Sequence, residues 1–161
     1  MKIYLGADHA GFALKETMKA YLVRQGFVCK DLGNIQLDKN DDYPDFSVKV
    51  ARAVAKDTSS RGALFCGSAQ GACITANKVK GIRAASVRSV AEAVLAIEHD
   101  DVNVICLAGG QQVQRQFKGV GIPNDQAKKI VRAYLSGKFS SAARHHRRVN
   151  KIKAIEKRNF R

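Results

Sequence analysis

Gly62-Ala63-Leu64-Phe65-Cys66-Gly67-Ser68-Ala69-Gln70-Gly71 is the stretch on which the reading of this chain turns. Its opening residues form an unbroken apolar run, as expected of a strand buried on both faces. Cys66 stands at the end of that run, and the glycine-bearing turn after it leads into Ala72 to Val79, which reads as a helix. A strand, a tight turn and a helix start surround one thiol with free backbone N–H groups and the positive end of a helix dipole. Such a setting suits an oxyanion or a phosphate. It also predicts a lowered thiol pKa, with a useful fraction of thiolate near neutrality. Position alone favours the plainer reading of Cys66 as a small core hydrophobe at a strand end.

The same alternation runs outward in both directions. Ile3 to Ala7 is a strand candidate, and Phe12 to Arg24 has helical spacing through Leu14, Met18, Tyr21 and Leu22, with Gly26 as its stop. Phe27 to Leu32 reads as a second strand, Asn34 to Asp42 as a polar loop, and Asp45 to Ala55 as a helix opened by Pro44. Ala63 to Cys66 is the third strand and Ile82 to Val87 the fourth. Ser89 caps a helix from Val90 to about Glu98, and Val102 to Ala108 is the fifth strand. Gly109 to Gly121 is irregular or partly helical, and helices follow at Pro123 to Leu135 and Arg144 to Lys157. Apolar strands alternating with helices predict one α/β domain over residues 1–161, a parallel sheet with helices on both faces. Sites in such sheets lie at the carboxyl ends of the strands. That rule selects Asp8 and His9 after the first strand, Cys66 to Gly71 after the third, and residues after the fifth.

At 161 residues, with 45% hydrophobic content and two prolines, the chain is one ordered domain's worth. No apolar run is long enough to span a membrane. The N-terminus runs straight into a strand pattern without the parts of a signal peptide, so a cytoplasmic location is expected. Four cysteines (Cys29, Cys66, Cys73, Cys106) show no CxxC spacing, which argues against a zinc ribbon or a redox dithiol. The formal net charge is +14, and Arg144 to Arg161 carries eight Lys or Arg against one acid, half of that excess. A tail of this kind attracts polyanions or forms a solvated helix face with a few phosphate ligands. No aromatic-interleaved basic patch or helix-turn-helix pattern points to nucleic acid.

Three further segments carry polar chemistry. Gly6-Ala7-Asp8-His9-Ala10-Gly11 sets an acid and an imidazole at a strand end, outside the GxGxxG dinucleotide spacing. These can handle hydroxyl protons or bind phosphate, or they are a turn-forming Asp beside a surface His. His99, with Asp100 and Asp101 beside it, closes a helix whose carboxyl end favours imidazolium, a general acid or simply a C-terminal cap. Arg144 and Arg148 share one helix face, as a phosphate clamp or a solvated basic surface.

Together these segments resemble the ribose-5-phosphate isomerase B family, which includes the subunits of galactose-6-phosphate isomerase. The carrying residues are Gly6 to Gly11, Asp42-Tyr43-Pro44, Cys66 to Gly71, Ala76-Asn77-Lys78-Val79-Lys80-Gly81-Ile82-Arg83, His99 with Asn103-Val104, and Arg144-His145 with Arg148-Val149. They span nearly the whole chain in the family's order. The resemblance implies a Rossmann- or flavodoxin-like sheet of five parallel strands in a homodimer or dimer of dimers. It implies aldose–ketose isomerisation of a sugar phosphate through an enediolate, with no metal or cofactor. By position Cys66 matches the proton-transferring base, and Gly67, Ser68, Ala69, Gln70 and Gly71 match the anion hole, the Ser68 hydroxyl assisting. Asp8 and His99 match the ring-opening groups, His99 reaching in from a partner subunit. His9, Arg144 and Arg148 match phosphate ligands, Tyr43 lines the sugar site, and Asp100 adjoins the substrate.

The chain departs from the family pattern near the site. Ser68 stands for threonine, Asp100 for asparagine, Gln111 for a phosphate-binding Arg or Lys, and Ala142-Ala143 for Gly-Gly. Ala69 stands for a glycine, which restricts the turn if that position needs φ > 0. Residues from about Gln112 to Gly121 look like an insertion. Ribose 5-phosphate is the expected substrate. A hexose 6-phosphate (galactose or allose 6-phosphate) and a non-catalytic member that binds sugar phosphate or polyanion are the alternatives.

Overall fold

In the computed structural model, which describes residues 1–110 and 119–160, strands and helices alternate. In chain order they are β1 (Lys2–Ala7), α1 (Phe12–Arg24), β2 (Val28–Asp31), α2 (Tyr43–Lys56), β3 (Arg61–Cys66), α3 (Gln70–Ala76), β4 (Ala84–Ser86), α4 (Val90–Asp100), β5 (Val104–Ala108), α5 (Asn124–Ser136) and α6 (Ala143–Asn159). The five strands form one all-parallel sheet in the order β2-β1-β3-β5-β4. α2 packs on α3, β1 and β3, while α5 packs on α1 and α4, and α6 on α4. Right-handed crossovers put α2 and α3 on one face and α1, α4 and α5 on the other.

Apolarity decides which strands sit centrally. β3 (Arg61–Cys66) is buried from Gly62 onward and β5 is buried throughout, whereas β2 and β4 are half-covered edges. The order differs from the flavodoxin order 2-1-3-4-5 in its last pair. β5, five apolar residues, takes the inner place, and three-residue Ala84-Ala85-Ser86 is left at the edge. The chain leaves β1 toward one edge for β2 and returns past it for β3. The crevice of this fold therefore lies above the carboxyl ends of β1 and β3.

Local chemistry explains where elements start and stop. α3 begins at Gln70, two residues before the expected Ala72, because Ala69 adopts a left-handed conformation (φ 68°) that turns the chain into the helix. It ends at Ala76 rather than Val79. The Asn77 amide donates to the carbonyls of Cys73 (3.2 Å) and Ala84 (2.9 Å) and accepts from the Ala84 N–H at 2.8 Å. Asn103 likewise accepts from the Arg83 N–H at 2.9 Å and donates to Gly81 O at 2.8 Å, so β4 starts at Ala84 and not Ile82. Ser89 caps α4 by accepting from the Glu92 N–H at 3.1 Å, as the sequence predicts. Under α1, fully buried Lys15 donates to Asp31 Oδ2 (2.7 Å) and Asn34 O (2.5 Å), pinning the loop after β2 against the rim of the crevice. Burial alone would push the Asp31 pKa up, but the Lys15 and Lys19 ammonium groups outweigh it and hold the carboxylate below its usual range.

Candidate active site

The crevice holds a cleft of about 460 Å³ lined by the ends of β1 and β3 and the start of α2. Its floor is a thiol–carboxylate pair. Asp8 follows β1 and is oriented by the Gly11 N–H, which donates to Oδ1 at 2.9 Å. The Cys66 thiol at the end of β3 donates to Asp8 Oδ2 at 3.0 Å, and both side chains are buried. So close an approach of the β1 and β3 ends needs glycine at position 11. A Cβ there would lie 2.2 Å from the Phe65 carbonyl.

The pair overturns one sequence expectation. The N–H groups of Ala69 and Gly67 do point at Cys66 and favour its thiolate, as the strand–turn–helix pattern predicts. Burial and the adjacent Asp8 carboxylate oppose them and win, and the thiol pKa is pushed up to about 12 rather than lowered. In this state Cys66 is a protonated donor to Asp8.

The turn above the thiol is shaped by one left-handed residue. Ala69 is buried in its left-handed conformation, so the position does require φ > 0. Ser68 lines the cleft and Gln70 points outward, its amide reaching Ser86 Oγ at 3.5 Å. Gly71 passes beneath the Tyr43 ring so closely that a Cβ would lie 2.4 Å from Tyr43 Cζ, which brings the phenol over the cleft.

At the other wall His9 is held twice by Asp41. Its backbone N–H donates to Oδ1 at 2.8 Å and its Nδ1 lies 2.9 Å from the same oxygen. Asn34 donates to the second oxygen of Asp41. Burial opposes charge on His9, but the Asp41 bond and the nearby Asp8 and Asp41 charges outweigh it, so its pKa is raised. Asp41 and Asn34 escaped the sequence reading because both sit in the polar stretch assigned to a loop. The only signal for Asp41 was its place just before Asp42-Tyr43-Pro44.

The remaining expected residues lie elsewhere on the same chain. His99, in the last turn of α4, stacks on His145 of α6 with ring centroids 4.1 Å apart. His145 is buried, and its surroundings lower its pKa, burial first and then His99, Arg144 and Arg148. Arg144 and Arg148 are exposed on the first two turns of α6. Asp100 borders a separate groove with Arg83 and Ile152, and its carbonyl accepts from Arg83 Nε at 3.1 Å. Gln111 lies outside the described residues. Among the described residues no three His, Cys, Asp or Glu side chains group as a metal site, and no helix is long and apolar enough to cross a membrane. Among the described residues the cleft of one chain thus combines carboxylates Asp8, Asp41 and Asp42 with the imidazole of His9, while Arg144 and Arg148 are not among its lining residues.

Residues 3–152 match the family described as Ribose/Galactose Isomerase. The chain is 40% identical over 156 residues to the probable ribose-5-phosphate isomerase B of Mycoplasma genitalium, covering 96% of this chain and 95% of that protein. It is also 40% identical over 157 residues to ribose-5-phosphate isomerase B of Escherichia coli K12, covering 98% and 97%. Among solved structures it is similar to the Mycoplasma genitalium isomerase with bound ribulose-5-phosphate, with TM-score 0.87 and 39% identity over 97% of this chain and 96% of that one. The Clostridium thermocellum ribose-5-phosphate isomerase B aligns with TM-score 0.87 and 38% identity over 99% of each chain.

Proposed function

The chain belongs to the ribose/galactose isomerase family, and on that premise we propose that it interconverts ribose 5-phosphate and ribulose 5-phosphate through an enediolate, with Cys66 as the base. It is an aldose–ketose isomerase. The observation that carries the Cys66 assignment is the buried thiol–carboxylate pair beneath the 67–71 turn.

A protonated thiol is no base, so its proton must leave first, and the 3.0 Å bond to Asp8 Oδ2 gives it a direct route. Transfer to Asp8 leaves a thiolate under the N–H groups of Gly67 and Ala69 without exposing either group to water. The thiolate takes the proton from C2, and the charge that develops on the C1 oxygen is met by the 67–71 turn. Return of the proton to C1, with the O2 proton passing to O1, leaves a hydroxyl at C1 and a ketone at C2 and completes the exchange. Ring opening precedes these steps, and we assign it to Asp8 and His99.

A phosphate dianion needs cations, and among the described residues His9, its pKa raised, is the one basic side chain lining this cleft. We therefore read the working unit as a homodimer in which a second copy brings His99, Arg144 and Arg148 to the Cys66 cleft of the first. Asp100 and Tyr43 then flank the sugar.

The experiment is formation of ribulose 5-phosphate from ribose 5-phosphate by the purified protein and its Cys66→Ala variant. Turnover in the wild type that falls by three orders of magnitude or more in the variant, on the order of losing a catalytic nucleophile or base, supports the reading if phosphate binding is kept. Equal activity in both rules out Cys66 as the base. A wild type that binds ribose 5-phosphate without converting it rules out the pentose reaction.

A further inference from the structure

Lys15 breaks two local rules. It stands in the first turn of α1, where the helix dipole disfavours a cation, and its side chain is 0% exposed. Leu14, Met18 and Leu22 share that buried side, so an apolar residue at position 15 would serve the packing. A residue that local rules argue against points to a role elsewhere in the fold.

The ammonium donates to Asp31 Oδ2 (2.7 Å) and Asn34 O (2.5 Å) and lies 3.0 Å from Glu16 Oε1. Asp31 is already paired with Lys19 at 2.8 Å, so its charge does not depend on Lys15. The bond to the Asn34 carbonyl is the one that leads on. Asn34 is buried, its N–H donates to Ala7 O at the end of β1 (2.8 Å), and its amide donates to Asp41 Oδ2. Its own Oδ1 is buried without a partner among the described residues, so the amide is committed to Asp41 at the expense of its other half. Asp41 then gives Oδ1 to the His9 N–H (2.8 Å) and to His9 Nδ1 (2.9 Å). One chain of hydrogen bonds thus runs from a buried ammonium in α1, through the loop after β2, to the imidazole at the wall of the cleft.

We propose that Lys15 is a positioning residue for anion binding, acting through Asn34 and Asp41 to present His9 Nε2 to the phosphate of the substrate. This rests on the reading of His9 as a phosphate ligand given above. Lys15 fixes the main chain of Asn34, which aims the amide at one oxygen of Asp41 and leaves the other for His9. With Nδ1 engaged there, the ring is held from turning over and Nε2 is the nitrogen left for the ligand.

The same chain sets the charge of His9. The groups that act on it are Asp41 and Asp8, and Asp42, Tyr43 and Cys66 line the same cleft. The bond from Asp41 is the largest of the effects that favour the imidazolium against burial. An Asp41 left to wander would therefore cost His9 both its aim and part of its charge.

The test compares full-length wild type with Lys15→Met, Asn34→Ala and Asp31→Asn. The His9 pKa is read from imidazole NMR titration, its signal assigned by its loss in His9→Gln, and the affinity for inorganic phosphate is read by calorimetry. Lys15→Met and Asn34→Ala should each lower the His9 pKa toward the ordinary value of about 6.5. Each should also weaken phosphate about tenfold, the scale of one charge-assisted hydrogen bond. Asp31→Asn removes the ion pair and leaves the Asn34 bond, so it should match the wild type in both. A His9 titration unmoved in Lys15→Met, or moved as far by Asp31→Asn, overturns the proposal and leaves Lys15 a structural ion pair. If Lys15→Met alone fails to fold, Lys15→Met/Asp31→Asn, which leaves no lone buried charge, takes its place under the same criteria. Kinetics are a separate readout that rests on the proposed isomerase reaction: KM for ribose 5-phosphate should rise by about the same tenfold, with kcat within about threefold of wild type. The titration decides the role of Lys15 even if no isomerase activity is found.

Discussion

Replacing Asp8 by Asn isolates what keeps the Cys66 thiol protonated. The two side chains are 3.0 Å apart in a buried site. Two like charges at that distance repel by about 5.5 kcal/mol at an effective dielectric of 20, or roughly four pKa units, which is a ceiling for the carboxylate's share. Burial persists in the variant, while the Asn amide offers the thiolate a donor. We expect the Cys66 pKa to fall by about two units or more from its value of about 12. The assay is the rate of iodoacetamide alkylation at Cys66, followed by peptide mass between pH 7 and 11. The wild type should show no inflection below about pH 11, and Asp8→Asn should show one between about pH 8 and 10. Superimposable profiles would refute the argument and leave burial as the sole cause. Faster alkylation in the variant together with lost isomerisation would separate having a thiolate from having somewhere to send its proton.

Three other outcomes follow from the geometry. Ala69→Gly relieves a left-handed alanine at about 1–2 kcal/mol, partly offset by the greater freedom of glycine in the unfolded chain. The net gain is about 0.5–1 kcal/mol, seen as a raised Tm, and a lowered Tm would contradict it. Cys66→Ala and Arg144→Ala/Arg148→Ala should each be inactive alone. If the site is shared between two copies, equal mixtures after dissociation and reassociation should regain about a quarter of wild-type activity, since half the dimers carry one intact site of two. No recovery would place all these groups in one chain's site. The His9–Asp41 pair titrates with a defined sign: a raised His9 pKa gives stability that is full below the unfolded value of about 6.5 and is lost as pH rises through the folded value. Asp41→Asn should lower the His9 pKa in imidazole NMR titrations and narrow its stability deficit as pH rises. An unmoved His9 titration would remove Asp41 as the cause.

The alternation of strands and helices was legible because each segment carries its own period, and the rule of the carboxyl ends selects Asp8, His9 and Cys66, which the fold brings to one cleft. Strand order was not legible, since the choice between β4 and β5 for the inner place depends on their competition for burial and not on either sequence alone. The thiol pKa was misread for a related reason. Its local donors, Gly67 and Ala69, are close in sequence, but what opposes them, burial first and then a carboxylate 58 residues away, arises only once the sheet is assembled. Asp41 was hidden because nothing in a polar loop announces which aspartate folds back on a histidine. Ala69 was the reverse case, where one departure from the family pattern identified a backbone conformation that the structure contains.

The placement of β5 between β3 and β4 bears on the order in which a nascent chain can assemble. Residues 1–66 contain β1, β2 and β3 and can pair among themselves as soon as they emerge. β4 emerges next but has no partner, because its only ladder is with β5, whose last residue is 108. During that interval β3 presents an open edge, and α3, with the turn that frames Cys66, lacks the support of β4 and β5. The crevice above β1 and β3 is therefore a late product of translation, although two of its central residues, Asp8 and Cys66, are among the early ones made. The unpaired β3 edge is the moment of greatest exposure to misassembly, and β5 ends it by closing the sheet from within.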